Sequence, residues 1–169
     1  MRKYSIFATD WGKVAAVWSA DGLWALSFPR ASAEEALASL KTDMAGAAEA
    51  YPAWADALDR ELKRYFAGEK LDFTVPVDWG GYTPFQAAVL RHTAAIPYGV
   101  VEGYGQVAKA VGSPKAARAV GGALHINRTP VVVPCHRVVG ANGALVGFGG
   151  GLDRKKALLD LESVTYLDR

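Results

Sequence analysis

A short connection between two predicted helices is the feature that most restricts the possible folds of this chain. The helices are predicted over residues 104–111 and 114–124. The first helix is predicted to end at Gly112. Ser113-Pro114 then supplies a capping hydroxyl followed by a proline at the first helical position. A connection this short is typical of a helix-turn-helix. The second half of the chain is therefore predicted to be mainly helical around this element.

The second of these helices has two distinct faces. At about 100° per residue, the apolar side chains of Ala117, Val120 and Leu124 fall on one stripe, which is expected to pack inward. The exposed face is cationic and otherwise small, and it carries Lys115, Arg118, Ala119 and Gly122. Small side chains let a helix approach the groove of a nucleic acid closely, so that one long arginine side chain can reach past the backbone phosphates. The residues alone also allow an ordinary bundle helix with a solvated arginine.

Charge is unevenly distributed along the chain, although the net charge is only +2. Residues 1–76 carry 9 Lys and Arg against 11 Asp and Glu, a net of −2, whereas residues 77–169 carry 10 against 6, a net of +4. No acidic residue occurs between Gly103 and Leu152. That stretch contains the cations Lys109, Lys115, Arg118, Arg128 and Arg137. A local field of one sign attracts a polyanion, although a solvated basic face would look the same.

The only cysteine of the chain, Cys135, is followed directly by His136. A thiol with a pKa near ~8.5 is mostly protonated at neutral pH, so a nucleophilic cysteine needs a base or a positive field. Neighbouring side chains of an extended strand point to opposite faces. His136 can therefore take the proton of Cys135 only if the chain turns there or a water links the two side chains. Pro134 is compatible with such a turn. A carboxylate, Glu162 or Asp160, would then orient the imidazole. The alternative is an inert buried cysteine beside a structural histidine.

The first part of the chain indicates a small α/β (α+β) unit, predicted to span residues 1–76 and to support a helical domain over 77–169. Its predicted elements are a three-stranded antiparallel meander at 4–9, 13–19 and 23–28, followed by helices at 34–44 and 54–66. Residues 73–76 are expected to run extended toward the second domain. Two more helices are predicted in that domain, over 83–94 and 153–162.

Several classes of protein are disfavoured by composition. A single cysteine excludes an internal disulfide, and three scattered histidines form no metal-ligand pattern. No stretch approaches ~18 continuous apolar residues, and no signal peptide is visible. We therefore expect a cytoplasmic protein without metal or cofactor.

Taken together, segments of the second half closely resemble the O6-alkylguanine-DNA alkyltransferase family. The segments are Pro134-Cys135-His136-Arg137-Val138-Val139, Ala117-Arg118-Ala119-Val120-Gly121-Gly122-Ala123, and Asn127. The similarity extends from about Thr83-Pro84-Phe85-Gln86 through Glu162, with a weaker match at the domain junction. The resemblance implies a ribonuclease-H-like N-terminal domain and a winged helix-turn-helix-like element in the C-terminal domain. It also implies direct-reversal repair of O6-alkylguanine in double-stranded DNA, with O4-alkylthymine as a further candidate substrate.

The resemblance implies a role for each matching residue. Cys135 matches the alkyl acceptor, and His136, through a water, and Glu162 match the relay that forms the thiolate. Tyr104 matches the tyrosine that bonds the flipped guanine and donates a proton as it departs. Arg118 matches the side chain that fills the gap in the base stack. One alkyl transfer consumes the protein, which is expected to act as a monomer without a protein partner.

The resemblance also implies a base pocket and a DNA-contacting surface. Asn127 matches the hinge asparagine between the recognition helix and the acceptor loop, and the backbone near Val138 and Gly149 would contact the guanine edge. Pro130 and Phe148 are expected to line the same pocket. The expected DNA contacts are Arg118, Lys115, Ala119, Gly122, Arg128 and Arg137.

This chain departs from the family pattern at three places. Gly103 replaces the usual serine or threonine before Tyr104, and Phe148 stands where a tyrosine is frequent. The three glycines 149–151 suggest a mobile pocket wall. These departures leave the preferred adduct size open. Three rival classes are a DNA-binding regulator with an inert cysteine, a Cys-His hydrolase, and a lesion sensor without repair activity.

Overall fold

The computed structural model describes residues 2–146 and 151–165, and contacts within the chain divide it into two compact units, Met1–Gly80 and Gly81–Arg169. In the first unit, Val77 pairs with Leu23, and the Asp78 N–H donates to the Leu23 carbonyl (2.8 Å). Residues 77 and 78 therefore lie along the sheet of the first unit. The domain boundary placed after residue 76 stays a prediction.

The first unit contains a four-stranded sheet of order β3-β2-β1-β4. Strands β1 (Lys3–Thr9), β2 (Gly12–Ser19) and β3 (Gly22–Leu26) form the predicted antiparallel meander. Strand β4 (Ala48–Glu49) adds a parallel edge to β1, and the sequence analysis missed it. Two residues are too short to show the alternation of polar and apolar side chains by which a strand is recognised.

Two helices accompany this sheet, α1 (Ala33–Ala38) and α2 (Ala53–Phe66). The first is shorter than the predicted helix over 34–44. The Thr42 hydroxyl accepts hydrogen bonds from Arg2 Nη1 (2.7 Å) and Trp24 Nε1 (2.9 Å), contacts that hold the chain beyond Ala38 in an irregular path. Helix α2 matches its prediction, and its buried apolar residues are Ala55, Leu58, Leu62, Tyr65 and Phe66.

The second unit contains the helices α3 (Pro84–Ala94), α4 (Tyr104–Ala110), α5 (Ala117–His125) and α6 (Leu152–Leu161). Helix α3 begins as predicted, because the Thr83 hydroxyl accepts from the Gln86 N–H (3.2 Å) while the Gln86 side chain accepts from the Thr83 N–H (3.0 Å). Helix α5 packs against α3 and α4. Within the described part of the chain, none of the helices is both long and apolar enough to cross a membrane.

Helix α5 starts three residues later than predicted. Residues 113–116 form a single turn closed by the Ala116 N–H and the Ser113 carbonyl (2.9 Å), and the helical bonds begin with Val120 N–H to Ala116 (2.9 Å). Lys115 therefore lies in the turn rather than on the helix. The inward stripe is Val120, Ala123 and Leu124, whereas Ala117, predicted inward, is exposed at the first helical position.

A two-stranded parallel sheet joins distant parts of the second unit. Strand β5 (Glu102–Gly103) precedes α4 directly, and it pairs with β6 (Val138–Val139). Since β6 follows the Cys135 turn, this pairing holds the start of α4 beside the cysteine segment. Behind it, Val139, Leu145 and Leu159 form a buried cluster.

Candidate active site

The backbone turns sharply at Cys135. Pro134 has φ −81° and ψ 67°, and the Cys135 N–H donates to the Val133 carbonyl (2.8 Å), which together form an inverse γ-turn. A single 3-10 turn, Cys135–Arg137, follows. Neighbouring side chains therefore do not alternate as they would in a strand. The chain turns at Cys135, as the sequence required if His136 is to act on the thiol, and that action stays a prediction. Cys135 is 7% exposed.

Asn127 fixes the loop that leads from α5 to the cysteine. Its Nδ2 donates to the Val133 carbonyl (2.9 Å), and its Oδ1 accepts from the Thr129 N–H (3.0 Å). The Val133 carbonyl is the acceptor that also closes the turn at Cys135. Within the same loop Val131 has φ +74°, a conformation that costs a β-branched residue about 1–3 kcal/mol. The position of Cys135 thus depends directly on the Asn127 side chain.

His136, Glu162 and Arg137 form a buried charged network. His136 Nε2 lies 2.6 Å from Glu162 Oε2, and Arg137 contacts both carboxylate oxygens, through Nε to Oε1 (2.8 Å) and Nη2 to Oε2 (3.1 Å). The Gly99 N–H adds a fourth bond to Glu162 (3.1 Å). Asp160, the other candidate carboxylate, is exposed on the opposite face of α6. The network therefore contains Glu162 and not Asp160.

The charge state of this network follows from its bonds. Burial alone would raise the pKa of Glu162, but the hydrogen bonds from His136 and Arg137 bring that pKa far below its usual range. Burial lowers the pKa of His136, against the opposing effect of Glu162. At neutral pH the network thus contains a carboxylate, a neutral imidazole and a guanidinium. The imidazole donates a hydrogen bond to Glu162 through Nε2, so Nδ1 is the ring nitrogen that can accept a proton.

Arg137 corrects one expectation of the sequence analysis. It was predicted to contact DNA, but its side chain is buried; besides Glu162 it bonds the Ile96 carbonyl through Nη1 (2.7 Å). A guanidinium committed to a buried carboxylate does not reach a DNA phosphate.

Tyr104 stands at the first position of α4, beside β5. Its hydroxyl donates to the Val146 carbonyl (3.0 Å). Burial, and then the negative charge of Cys135, raise the pKa of this hydroxyl above its ordinary value. Tyr104 therefore keeps its proton through the neutral pH range.

Lys155 is a site residue that the sequence analysis missed. It lies on the inward face of α6, and its Nζ donates to the carbonyls of Val138 (2.6 Å) and Val146 (3.0 Å). The helical spacing 155, 158, 159, 162 could have revealed it, because Leu158, Leu159 and Glu162 are all buried. Of the three basic residues at 154–156, only Lys155 falls on the buried face that this spacing defines.

The predicted DNA-contacting surface is largely exposed. Arg118, Ala119 and Gly122 lie on the outer face of α5, and Lys115 lies in the preceding turn. Arg128 is partly buried; its guanidinium stacks 4.1 Å from the centroid of the Tyr82 ring. Apart from Arg137, the residues predicted to contact DNA are exposed or partly exposed, and their contact with DNA remains a prediction.

A groove of about 560 Å³ runs beside Tyr104. Its walls are the β5–α4 junction and residues 139–143, with Ala117 at one end. Of the predicted pocket residues, Asn127, Pro130 and Val138 are buried around the cysteine turn. Phe148 and Gly149 lie outside the described residues.

These features define a class of protein: a helix-turn-helix lies in the same unit as a buried thiol, and the next residue along the chain is a histidine paired with a buried carboxylate. Residues 84–164 match the family model described as "6-O-methylguanine DNA methyltransferase, DNA binding domain". The chain belongs to the family of methylated-DNA–protein-cysteine methyltransferases.

The comparisons with individual proteins cover both sequence and structure. The methylated-DNA–protein-cysteine methyltransferase of Mycobacterium tuberculosis strain H37Rv is 50% identical over 110 residues, which are 65% of this chain and 66% of that protein. The constitutive enzyme of Bacillus subtilis strain 168 is 47% identical over 111 residues, 65% of this chain and 67% of its own length. The crystal structure of M. tuberculosis OGT in complex with DNA has a TM-score of 0.79 and 36% identity, and the match covers 95% of this chain and 92% of that one.

Proposed function

We propose that this protein repairs DNA by direct reversal, transferring the alkyl group of O6-alkylguanine in duplex DNA to the sulfur of Cys135. The observation that carries the proposal is the placement of Cys135 on a turn, next to a buried His136–Glu162 pair, in a member of this family. The complex of the mycobacterial relative with DNA supports the substrate class. Repair of O4-alkylthymine is a further candidate activity of the same site.

The proposed reaction is a displacement at the alkyl carbon. His136 takes the thiol proton through a water, and Glu162 stabilises the imidazolium that forms. The thiolate attacks the alkyl carbon, a carbon–sulfur bond forms, and the electron pair of the breaking carbon–oxygen bond goes to O6 of guanine. Tyr104 then donates its proton to the departing base. The thioether product cannot be hydrolysed as an ester can, so each protein molecule reacts once.

The lesion must leave the base stack before this reaction can take place. Extruding a base costs a few kcal/mol, and the exposed face of α5 offers the means to compensate. Arg118 would fill the gap in the stack, while the small side chains of Ala119 and Gly122 would allow the helix close to the groove. Lys115 and Arg128 would contact phosphates. The base would enter a pocket formed by Tyr104 with Asn127, Pro130, Val138, Phe148 and Gly149.

The proposed partner is double-stranded DNA containing the lesion. We also propose that the protein acts as a monomer in the cytoplasm, needing no cofactor or protein partner.

Intact-protein mass spectrometry after mixing with a duplex that contains one O6-methylguanine tests the function. The expected result is the gain of one methyl group, mapped to Cys135 and saturating at one per protein. A protein that binds this duplex but stays unmodified would instead be a lesion sensor or a regulator, and the proposed reaction would be wrong.

Substituting Arg118 by alanine should slow repair of duplex DNA without changing the intrinsic reactivity of the thiol. Since extrusion costs a few kcal/mol, we expect a loss of roughly 10–100-fold in the transfer rate at saturating duplex. The rate with O6-methylguanine as the isolated base should stay close to that of the wild type. Lys109→Ala removes an exposed cation from α4 and serves as the control. Equal losses toward the duplex and the isolated base would contradict this role of Arg118.

Substituting Tyr104 by phenylalanine should slow alkyl transfer more than it weakens DNA binding. The hydroxyl matters most when charge develops on the departing guanine, so we expect a loss on the order of 10²-fold in single-turnover rate. Tyr98→Phe is a matched control, because it removes a hydroxyl that donates to the Leu161 carbonyl (3.3 Å). A Tyr104→Phe protein with normal transfer and weakened binding would show that this hydroxyl acts only in recognition.

A further inference from the structure

Tyr82 is a partly buried aromatic residue of the second unit to which the proposed reaction gives no role. It directly precedes Thr83, whose reciprocal hydrogen bonds with Gln86 fix the start of α3. The Tyr82 side chain therefore leaves the backbone at a well-fixed position. Such a position suits a residue that anchors a neighbouring loop.

Tyr82 makes two contacts with Arg128, one through each part of its side chain. The Tyr82 hydroxyl accepts a hydrogen bond from the Arg128 N–H (3.0 Å), and the Arg128 guanidinium lies 4.1 Å from the centroid of the Tyr82 ring. The quadrupole of an aromatic ring attracts a cation that lies over its face. The hydroxyl thus holds the main chain of Arg128, and the ring holds its side chain.

Arg128 belongs to the loop that leads from α5 to the nucleophile. Its neighbour Asn127 donates through Nδ2 to the Val133 carbonyl (2.9 Å). The same carbonyl accepts from the Cys135 N–H (2.8 Å) and so closes the turn there. A continuous path of hydrogen bonds and peptide links therefore runs from the Tyr82 hydroxyl to the backbone of Cys135.

Part of this loop is strained, so it needs support from outside. Val131 has φ +74°, a left-handed conformation that is unfavourable for a β-branched residue. Such a conformation persists only where the surrounding structure holds it. The Asn127 side chain makes its bonds within the loop, whereas Tyr82 connects the loop to the start of α3. Without that connection the loop is expected to relax, and the Cys135 turn with it.

We propose that Tyr82 is a positioning residue for alkyl transfer: it fixes the main chain at Arg128 and, through Asn127 and Val133, the turn that carries Cys135. The inference rests on the proposed function in that it takes Cys135 as the alkyl acceptor. It concerns the geometry of the loop before the protein meets DNA, and it does not depend on a phosphate contact by Arg128.

Amide hydrogen exchange, followed by NMR without DNA, tests the connection directly. Tyr82→Phe keeps the ring beneath the guanidinium and removes the hydroxyl that accepts from the Arg128 N–H. Because the net effect of one hydrogen bond is modest, exchange of the Arg128 and Cys135 amides should accelerate by about two- to tenfold. The amide of Val120, within α5, should keep its rate. Tyr51→Phe is the matched control, since the Tyr51 hydroxyl also accepts from a main-chain N–H (3.4 Å), in the first unit.

Alkyl transfer supplies the functional measurement. In Tyr82→Phe the single-turnover rate at saturating lesion duplex and the rate with isolated O6-methylguanine should fall by the same factor, about two- to tenfold, because the acceptor itself is misplaced. Affinity for the duplex should stay close to that of the wild type. This pattern differs from that of Arg118→Ala, which is expected to slow transfer from the duplex alone. Tyr82→Leu also removes the ring and should give a larger loss.

Faster exchange at Arg128 with an unchanged rate at Cys135 would overturn the proposal, because the anchor would then end at residue 128. Equal acceleration at Val120 would overturn it too, since Tyr82 would only stabilise the whole unit. Normal transfer by Tyr82→Phe from both substrates would leave the residue without a part in the reaction. The exchange measurement needs neither DNA nor alkyl transfer, so its failure is distinct from a failure of the proposed function, which the wild-type protein and the lesion duplex test.

Discussion

Cys135→Ala is expected to abolish alkyl transfer completely while leaving binding to the lesion duplex close to that of the wild type. Cys135 is the only cysteine of the chain, so no other thiol can accept the group. The side chain is buried at the turn, whereas the predicted DNA contacts lie on the exposed face of α5. The measurement pairs intact mass after incubation with a duplex-binding titration.

Cys135→Ser sharpens this experiment, because it retains a hydroxyl of similar size at the same place. It should also fail to accept the alkyl group, since a serine hydroxyl is a weak nucleophile at its ordinary pKa. Transfer of a methyl group to either variant would place the acceptor elsewhere. Loss of duplex binding in both would mean that the turn, and not the thiol, had been disturbed.

Glu162→Gln is expected to lower both the stability of the protein and the reactivity of its thiol. The change leaves the Arg137 guanidinium buried without its carboxylate, and breaking such a pair costs about 3–5 kcal/mol. For a chain of this size that corresponds to a fall of roughly 6–20 °C in Tm. The His136 ring also loses its anionic partner, so single-turnover transfer should slow by about 10²-fold, the low end of what a positioned acid or base contributes.

Asp160→Asn is the matched control, because it neutralises an exposed carboxylate two residues earlier on the same helix. It should change stability by no more than about 0.5 kcal/mol. Similar Tm values and transfer rates for the two variants would remove Glu162 from the relay.

The stability that Glu162 contributes should also depend on pH. Its folded pKa is lowered, so the contribution is fully present above its ordinary value of 4.5 and is lost as the pH falls through the folded pKa. The difference in Tm between wild type and Glu162→Gln should therefore shrink in strong acid. A constant difference would show that the carboxylate charge is not its source.

Much of the candidate site could be predicted from residue types and spacing. The sequence predicts Cys135 as the alkyl acceptor, and it predicts that the chain must turn there if His136 is to act on the thiol without a bridging water. The structure meets that condition with the inverse γ-turn at Pro134. The residues alone left the choice between Glu162 and Asp160 open, and the family resemblance selected Glu162; the spacing of buried positions along α6 also separates the two.

The charged residues were the hardest to predict. Arg137 was assigned to the DNA surface and Lys155 was overlooked, yet both are buried and bonded at the site. Charge in a sequence indicates a preference for water, and a buried ion is stable only where several distant groups supply its hydrogen bonds. Those groups, such as the Ile96 carbonyl for Arg137, come from other elements.

Local chemistry determines where elements of this protein begin, because caps, prolines and glycines act within a few residues. The Thr83-Pro84 start of α3 follows from such a signal, whereas α5 begins three residues after Pro114, where the same kind of signal had placed its start. Pairing between strands that are distant in the sequence cannot be predicted from such local signals. The strands β5 and β6 exist because Glu102–Gly103 and Val138–Val139 are brought together from 36 residues apart, as in the Glu102 to Val138 register. The pairing of β5 with β6, together with the packing of α6 behind it, brings Cys135, His136, Glu162 and Lys155 into one site. Only the tertiary structure decides this, because long-range contacts are selected by the packing of the whole unit.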